Sequence, residues 1–288
     1  MSLFGNNLSD AEKCFIIHGI QDDFRTDGRS CDNYRTIELA VNVLTNTHGS
    51  SKVRLGNTEL LVGVKVELGK PEKATPDEGR IEFHVDCSPN ATPAAQRKAA
   101  NKDFVNNIES MLVRTYANKI AIDLTSLCII KGKMCWIVHV DVLILECGGN
   151  ILDCTSLGVK SALQDTGIPR VVVKSGDEGE EEVELPDDPF DVQHISVNNV
   201  PILVTVSFVG TRHIIDATVE EESCCSASVV MGVTRRGRIL GVRKQCGGSL
   251  NPETLVEMLE FGKKSGRQLH VALDKMLKSY EKGTTGYL

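Results

Sequence analysis

From Cys135 to Leu163, a long apolar run, Trp136 to Leu145, meets the pair Gly148-Gly149 and then a segment crowded with small residues. A nearly continuous run of Val, Ile, Leu and Trp predicts a mostly buried central strand. The two glycines permit backbone angles closed to other residues, so the chain can pivot there. Asn150 is suited to cap a following helix. Cys154, Ser156, Gly158, Ser161 and Ala162 make that helix thin enough to lie close against a sheet. A helix N-terminus behind a Gly-Gly turn can also seat a phosphate. The stretch is therefore both the expected core and the first candidate site.

The rest of the chain reads as hairpins with a few helices. Helices are expected over Leu8 to Gly19, capped by Ser9 or Asp10, and over Asp103 to Ala117, where Phe104, Ile108, Met111, Leu112 and Thr115 share one face. Strands are expected at Tyr34 to Thr45, Ser51 to Leu55, Glu59 to Leu68, Arg80 to Cys87, Leu124 to Ile130 and Arg170 to Lys174. Later strands span Ile202 to Phe208, His213 to Ala217, Ser228 to Thr234 and Arg238 to Lys244, before a long helix from Ser249 or Asn251 to about Tyr280. Strands paired as hairpins rather than strictly alternating with helices indicate an α+β fold. Two halves are expected, about 12–168 and 169–280, with an acidic loop at 175–189 and a flexible tail at 281–288.

Charge and cysteine content narrow the chemistry. The net charge is −7 in 288 residues, and Ser175 to Pro189 alone holds eight acidic residues and no basic one. Without that segment the chain is balanced, so a local basic groove is compatible with the composition. The longest apolar runs are too short to span a bilayer, and the polar N-terminus shows no secretory signal; an intracellular protein is expected. Ten cysteines without a Cys-x-x-Cys pair, and seven histidines without metal-binding spacing, predict reduced thiols and no metal site.

Three clusters are candidates for chemistry. Asp216 with Glu220, Glu221 and Glu222 is either a cation site beside a phosphate substrate or a polar strand end with exposed acids. Arg235, Arg236, Arg238, Arg243 and Lys244 either contact RNA phosphates or form a solvated or subunit-facing hairpin, with strand alternation dividing them between two faces. Phe24 to Arg29 reads as a surface loop in which Asp27 pairs with Arg25 or Arg29. No dinucleotide fingerprint, P-loop or Gly-x-Ser-x-Gly elbow is present.

Several ordered motifs resemble the RNase PH family. They are Arg25-Thr26-Asp27-Gly28-Arg29, the hairpin Ser50 to Thr58, Asp141 to Asp153 with Cys147-Gly148-Gly149-Asn150, and the helix after Ser249-Leu250-Asn251-Pro252-Glu253. The resemblance runs from about Glu12 to Tyr280 and implies an RNase PH-like fold (ribosomal protein S5 domain 2-like), with two βαβ-rich halves and a long C-terminal helix. Within the family, Leu145 to Asn150, Leu185 to Asp191 and Val219 to Glu222 resemble a ring subunit of the RNA exosome. That implies related ring neighbours, OB- and KH-type cap proteins, associated hydrolytic ribonucleases and single-stranded RNA passing through a channel. It also implies residence in nucleus, nucleolus and cytoplasm, and roles in rRNA processing and mRNA decay.

Departures from the family pattern predict an inert subunit with no catalytic residues and no cofactor. Catalytic members carry Gly-Gly-Thr-Arg at the central turn, where this chain has Gly148-Gly149-Asn150-Ile151. Ser228 stands where they place an aspartate, and Asn101-Lys102-Asp103-Phe104 where they place Arg-Arg-Ser. A serine near its ordinary pKa cannot protonate a leaving ribose oxygen as a carboxyl group can. The alternative is an active phosphate-dependent 3′-to-5′ exoribonuclease using Asp216 and Glu220 to Glu222. By resemblance, Arg114 takes the first of two RNA-contacting arginine positions on the first long helix; Ala117 stands at the second. The alternative for Arg114 is a surface or interface arginine.

Overall fold

The computed structural model describes residues 8–89, 91, 100–175, 181–184, 188 and 191–281. Helix α1 (Asp10–Gln21) begins at Ser9, whose hydroxyl accepts the Glu12 N–H while the Glu12 carboxylate accepts the Ser9 N–H. Strands β1 (Ile37–Val41), β2 (Gly49–Leu55), β3 (Thr58–Gly69) and β4 (Arg80–Cys87) follow. Helix α2 (Ala100–Tyr116) leads through a 3-10 turn at Leu124–Leu127 into β5 (Cys128–Ile130) and β6 (Met134–Glu146). Next come α3 (Ile151–Asp165), β7 (Gly167–Pro169), β8 (Val172–Ser175), β9 (Glu181–Glu184) and β10 (Val192–His194). The chain continues through β11 (Ile202–Val209), β12 (Arg212–Ile215), short α4 (Val219–Cys224), β13 (Ala227–Val233), β14 (Ile239–Gln245) and the long α5 (Pro252–Glu281).

Two larger sheets hold α3 between them. The first has the order β1-β2-β3-β6-β4, with β5 also paired to β6. β3 and β6 are antiparallel, Val64 opposite Val140, and β4 is parallel to β6, Val85 opposite Val142. Parallel neighbours need a long crossover, and α2 lies within it. The second sheet, β12-β11-β13-β14, is antiparallel throughout. α3 packs on β2 and β3 on one side and on β11 on the other, so every residue from Ile151 to Leu163 is buried.

Burial on all sides explains the composition of α3. Its hydroxyls have no water to bond, so they turn back onto the helix: Thr155 Oγ1 donates to Ile151 O at 2.7 Å and Ser161 Oγ to Leu157 O at 2.8 Å. Lys160 donates from Nζ to Val200 O at 3.1 Å and bonds His270 Nδ1 at 2.8 Å. Gly158 sits where the helix meets β3; a Cβ there would lie 2.7 Å from Leu60 Cδ1 and 2.9 Å from Val62 Cγ2.

Several expectations change. β6 buries Val138, Val140, Val142 and Ile144 on one face but leaves Asp141 exposed and Leu143 half-buried on the other. The strand expected from Leu124 starts only at Cys128, since Asp123 accepts the Thr125 N–H and closes a 3-10 turn first. The strand expected over Tyr34 to Thr45 shortens to Ile37–Val41. β8 and β9 pair as a hairpin, Val173 opposite Val183. Of the acidic loop expected at 175–189, residues 176–180, 185–187 and 189 lie outside the described residues, as do Pro93 and the tail beyond 281. Among the described residues no helix is long and apolar enough to cross a membrane.

The tight seat of α3 is testable. Gly158→Val should force Leu60 and Val62 aside and lower stability by about 1–3 kcal/mol, read as a reduced urea midpoint. An unchanged midpoint would mean that the helix can back away from the sheet.

Candidate functional site

The Gly-Gly turn between β6 and α3 brings the two sheets to one place. Gly149, at φ +94°, approaches the start of α4 so closely that a Cβ would lie 2.6 Å from Ala217 O. Asn150 follows in the left-handed region, φ 52°, and its side chain makes no cap bond to the helix. This corrects its expected role. Asn150 Nδ2 instead donates to Asp153 Oδ2 at 3.1 Å and to Asp216 Oδ1 at 2.9 Å. Asp216, the residue just after β12, is also left-handed, φ 49°. Two non-glycine residues in this sparsely populated region face each other here, as strained backbone tends to do at functional sites.

The acidic cluster is not an exposed strand end. Asp216 is fully buried and is ringed by donors. Arg35 gives its backbone N–H to Oδ2 at 2.7 Å, Nε to Oδ2 at 2.9 Å and Nη2 to Oδ1 at 2.7 Å. Arg29 Nη1 adds a bond to Oδ2 at 3.0 Å. Burial pushes the Asp216 carboxyl up, and the hydrogen bonds and charge of Arg35 outweigh it, so the net displacement is downward. Glu221 is buried against Arg25, whose Nε donates to Oε1 at 2.8 Å. Arg25 also caps the carbonyls of Ile215 at 3.0 Å and Asp216 at 2.8 Å. The expected surface loop at Phe24 to Arg29 is thus half right. Asp27 does pair with Arg29, Nε to Oδ2 at 2.7 Å, but Arg25 lies inside the protein. Glu220 remains exposed.

Two donors of the turn are engaged. Gly148 N–H donates to Thr58 Oγ1 at 3.1 Å and Asn150 N–H donates to Glu222 Oε1 at 2.8 Å. Arg35 is the nearby cation, but it is spent on Asp216 and on the carbonyls of Gly148 and Gly149, at 2.8 and 3.1 Å. Ile151 points into the core. Burial pushes the Glu222 carboxyl up to about 7, against the bond from Asn150. Asp153 rises to about 6 by burial, although Thr205, Asn150 and Tyr34 all bond it.

Beside the turn lies a cleft of about 240 Å³, lined by residues including Asn107, Thr205, Glu222, Ser228, Arg243 and Lys244. Ser228 is buried at its floor, with Oγ 3.5 Å from Cys246 Sγ. The basic hairpin divides, though not simply by strand alternation. Arg235 pairs with Asp274 of α5 at 3.0 Å, whereas the neighbours Arg243 and Lys244 both line the cleft. Arg243 Nη1 reaches Ser110 Oγ of α2 at 3.4 Å. Arg114 is exposed in the last turn of α2. Asn107, Ser110 and Arg114 are spaced by three and four, so they form one stripe of that helix, and Arg114 stands one turn beyond Ser110, outside the cleft lining. Lys102 and Asp103 are exposed at the start of α2, while Phe104 is buried. Among the described residues no three His, Cys, Asp or Glu side chains converge as a metal requires.

Arg35, Asp153 and Asn107 were not legible as site residues. The one signal for Arg35 was charge complementarity: Arg25, Arg29 and Arg35 fall within eleven positions, and their acids lie more than 180 residues downstream.

The fold matches known proteins. Residues 33–169 match the 3′ exoribonuclease family, domain 1 (RNase_PH), and residues 199–265 match domain 2 of the same family. The chain belongs to the RNase PH family of 3′ exoribonucleases and has its mixed α+β fold with a long C-terminal helix. It is similar to the exosome complex component Rrp42 of Thermococcus kodakarensis, 33% identical over 92% of this chain and 93% of that protein. It is also similar to an RRP42 of Dictyostelium discoideum whose name assigns it, provisionally, to the exosome complex exonucleases, 30% identical over 94% of this chain and 98% of the other. A chain of the Archaeoglobus fulgidus exosome, solved with RNA bound to the active site, superposes with TM-score 0.76 and 27% identity over 91% of this chain and 98% of that one.

Two outcomes follow from the buried charges. Arg25→Ala should strand Glu221 inside the protein and cost about 3–5 kcal/mol, measured by urea unfolding; a loss under half of that would mean that water reaches Glu221. Glu222 has its carboxyl raised from 4.5 to about 7, so the folded state binds more protons than the unfolded state in that interval. The stability this group contributes is complete below about 4.5 and is lost as pH rises through about 7. Glu222→Gln, which still accepts the Asn150 N–H, should therefore gain stability relative to wild type between pH 5 and 8. Parallel stability curves for the two proteins would contradict the buried-carboxyl account.

Proposed function

We propose that this chain is a catalytically inert, RNase PH-like subunit of an RNA exosome core ring, lining the path of RNA for 3′-to-5′ processing and degradation. One observation carries the reading. The Gly-Gly turn, the natural seat for inorganic phosphate, already holds the chain's own carboxylate, Glu222, on the Asn150 N–H. A second anion there would find the Gly148 and Asn150 N–H groups already taken. Ile151, buried where catalytic members carry arginine, supplies no cation, and Ser228 supplies no acid. A charged arginine fork binds phosphate through paired charge-assisted bonds; a helix end alone contributes about 0.3–1 kcal/mol. The Rrp42 relatives support ring membership, because they match nearly the whole chain.

On this reading the halves at about 12–168 and 169–280 work as one RNase PH-like domain. Its partners are related ring subunits, OB- and KH-type cap proteins and hydrolytic ribonucleases, in nucleus, nucleolus and cytoplasm. Arg114 contacts single-stranded RNA, continuing a basic path from Arg243 and Lys244 along the Asn107–Ser110 stripe.

The second reading, an active phosphorolytic exoribonuclease, has in its favour the exonuclease name of the Dictyostelium relative and the acids Asp216 and Glu220 to Glu222. Against it, Asp216 and Glu221 are buried under arginines and reach no substrate. The test is reconstitution with ring neighbours whose own sites are inactivated, supplied with phosphate and single-stranded RNA. No nucleoside diphosphate should form. Release that depends on Glu222 would overturn the inert assignment. In the intact ring Arg114→Glu should weaken RNA retention several-fold with a shallower salt dependence, and unchanged retention would return Arg114 to the plain surface.

A further inference from the structure

We propose that Cys225 and Cys246 form a reversible oxidation site on the wall of the cleft, closing to a disulfide when the protein meets a peroxide. The proposal is independent of whether the chain is catalytic. Cys225 ends α4 and Cys246 follows β14, twenty-one positions later, yet both line the same cleft. The strand register explains the meeting. Ser228 pairs with Gln245, so the next residue, Cys246, falls beside the segment that leaves α4. Gly248 N–H donates to Ser226 O at 3.1 Å and holds the two segments together.

Their surroundings divide the labour of thiol oxidation. Cys246 sits in the left-handed region, φ 64°, which presents its side chain to the cleft beside Ser228 Oγ. The neighbouring Cys225 thiol, Ser228 and Lys244 draw the Cys246 thiol below its ordinary range against its burial. Cys225 is pushed up by the neighbouring Cys246 thiol and by burial, and its Sγ donates to Ala227 O at 2.9 Å. Cys246 is therefore the attacking thiolate and Cys225 the resolving thiol. Both are half-buried and line the cleft, open to a small oxidant, whereas Cys31, Cys135 and Cys154 are sealed in the core.

The chemistry balances with a peroxide as oxidant. Cys246 Sγ attacks one peroxide oxygen, the O–O bond breaks, and the departing hydroxide takes a proton to become water. This leaves a sulfenic acid on Cys246. Cys225 then gives up its proton and attacks that sulfur. The S–O bond breaks, a second water leaves and the Sγ–Sγ bond forms. Two thiols are oxidised, one peroxide is reduced to two waters, and a thiol reductant restores the pair. The bond would tie the Gly247-Gly248 loop to the end of α4.

The experiment uses the full, reduced chain with a stoichiometric amount of hydrogen peroxide, then trypsin and fragment mass spectrometry. Trypsin places the cysteines on separate peptides, His213–Arg235 and Gln245–Lys263. The expected product is those two peptides joined, with two hydrogens lost and the link mapped to Cys225. It should form in wild type and in Cys224→Ser, vanish in Cys225→Ser and Cys246→Ser, vanish when the chain is first unfolded in urea, and reverse with a thiol reductant. Separate, reduced peptides at a dose that oxidises the exposed Cys14 would overturn the proposal, as would a link that persists in Cys225→Ser.

Discussion

Asp216 carries a negative charge in the interior, and much of the molecule is arranged to keep it there. An ionised carboxylate loses its hydration on burial and needs compensating donors. Arg35 and Arg29 come from the stretch that leads into the first sheet, Asn150 from the turn before the central helix, and Asp216 from the end of a strand in the second sheet. Arg25 binds the carbonyl of the same residue and the neighbouring Glu221. Each charge is tolerated only because the others are in place. Such clusters add less net stability than their bond count suggests, but breaking one member strands the rest. The cluster therefore fixes how the two sheets meet at α3.

The same arrangement decides what the Gly-Gly turn can do. An anion seat needs free N–H groups and a nearby cation. Here two of the turn's N–H groups go to Thr58 and Glu222, and the cation goes to Asp216. Those groups are engaged inside the protein. The adjoining cleft is lined by the cations Arg243 and Lys244, the kind of side chain that meets a phosphate backbone.

Much of the fold was legible because its signals are local. Period-two alternation marked β4 from Arg80 to Cys87, and steps of three and four marked the buried face of α2 at Phe104, Ile108, Met111, Leu112 and Thr115. Small residues in α3 foretold its close seat on the sheet, which Gly158 makes literal. The site was scarcely legible. Arg25 looked like a loop residue because its partner, Glu221, is 196 positions away, and no window of sequence contains both. Asn150 looked like an ordinary cap because local pattern carries no information about Asp216, which redirects its side chain.

The sequence by itself determined the α+β class, most of the longer strands and helices, the central strand–turn–helix and the isoleucine that follows Asn150. These follow from periodicity, backbone permissiveness and residue identity, which act over a few neighbours. Only the tertiary structure decided which acids are buried, which arginines neutralise them, and that Glu222 fills the turn. It also brought Cys225 and Cys246 to one cleft. Burial and charge pairing depend on which distant segments share a low-dielectric interior, and that is a property of the packed chain, not of any stretch of it.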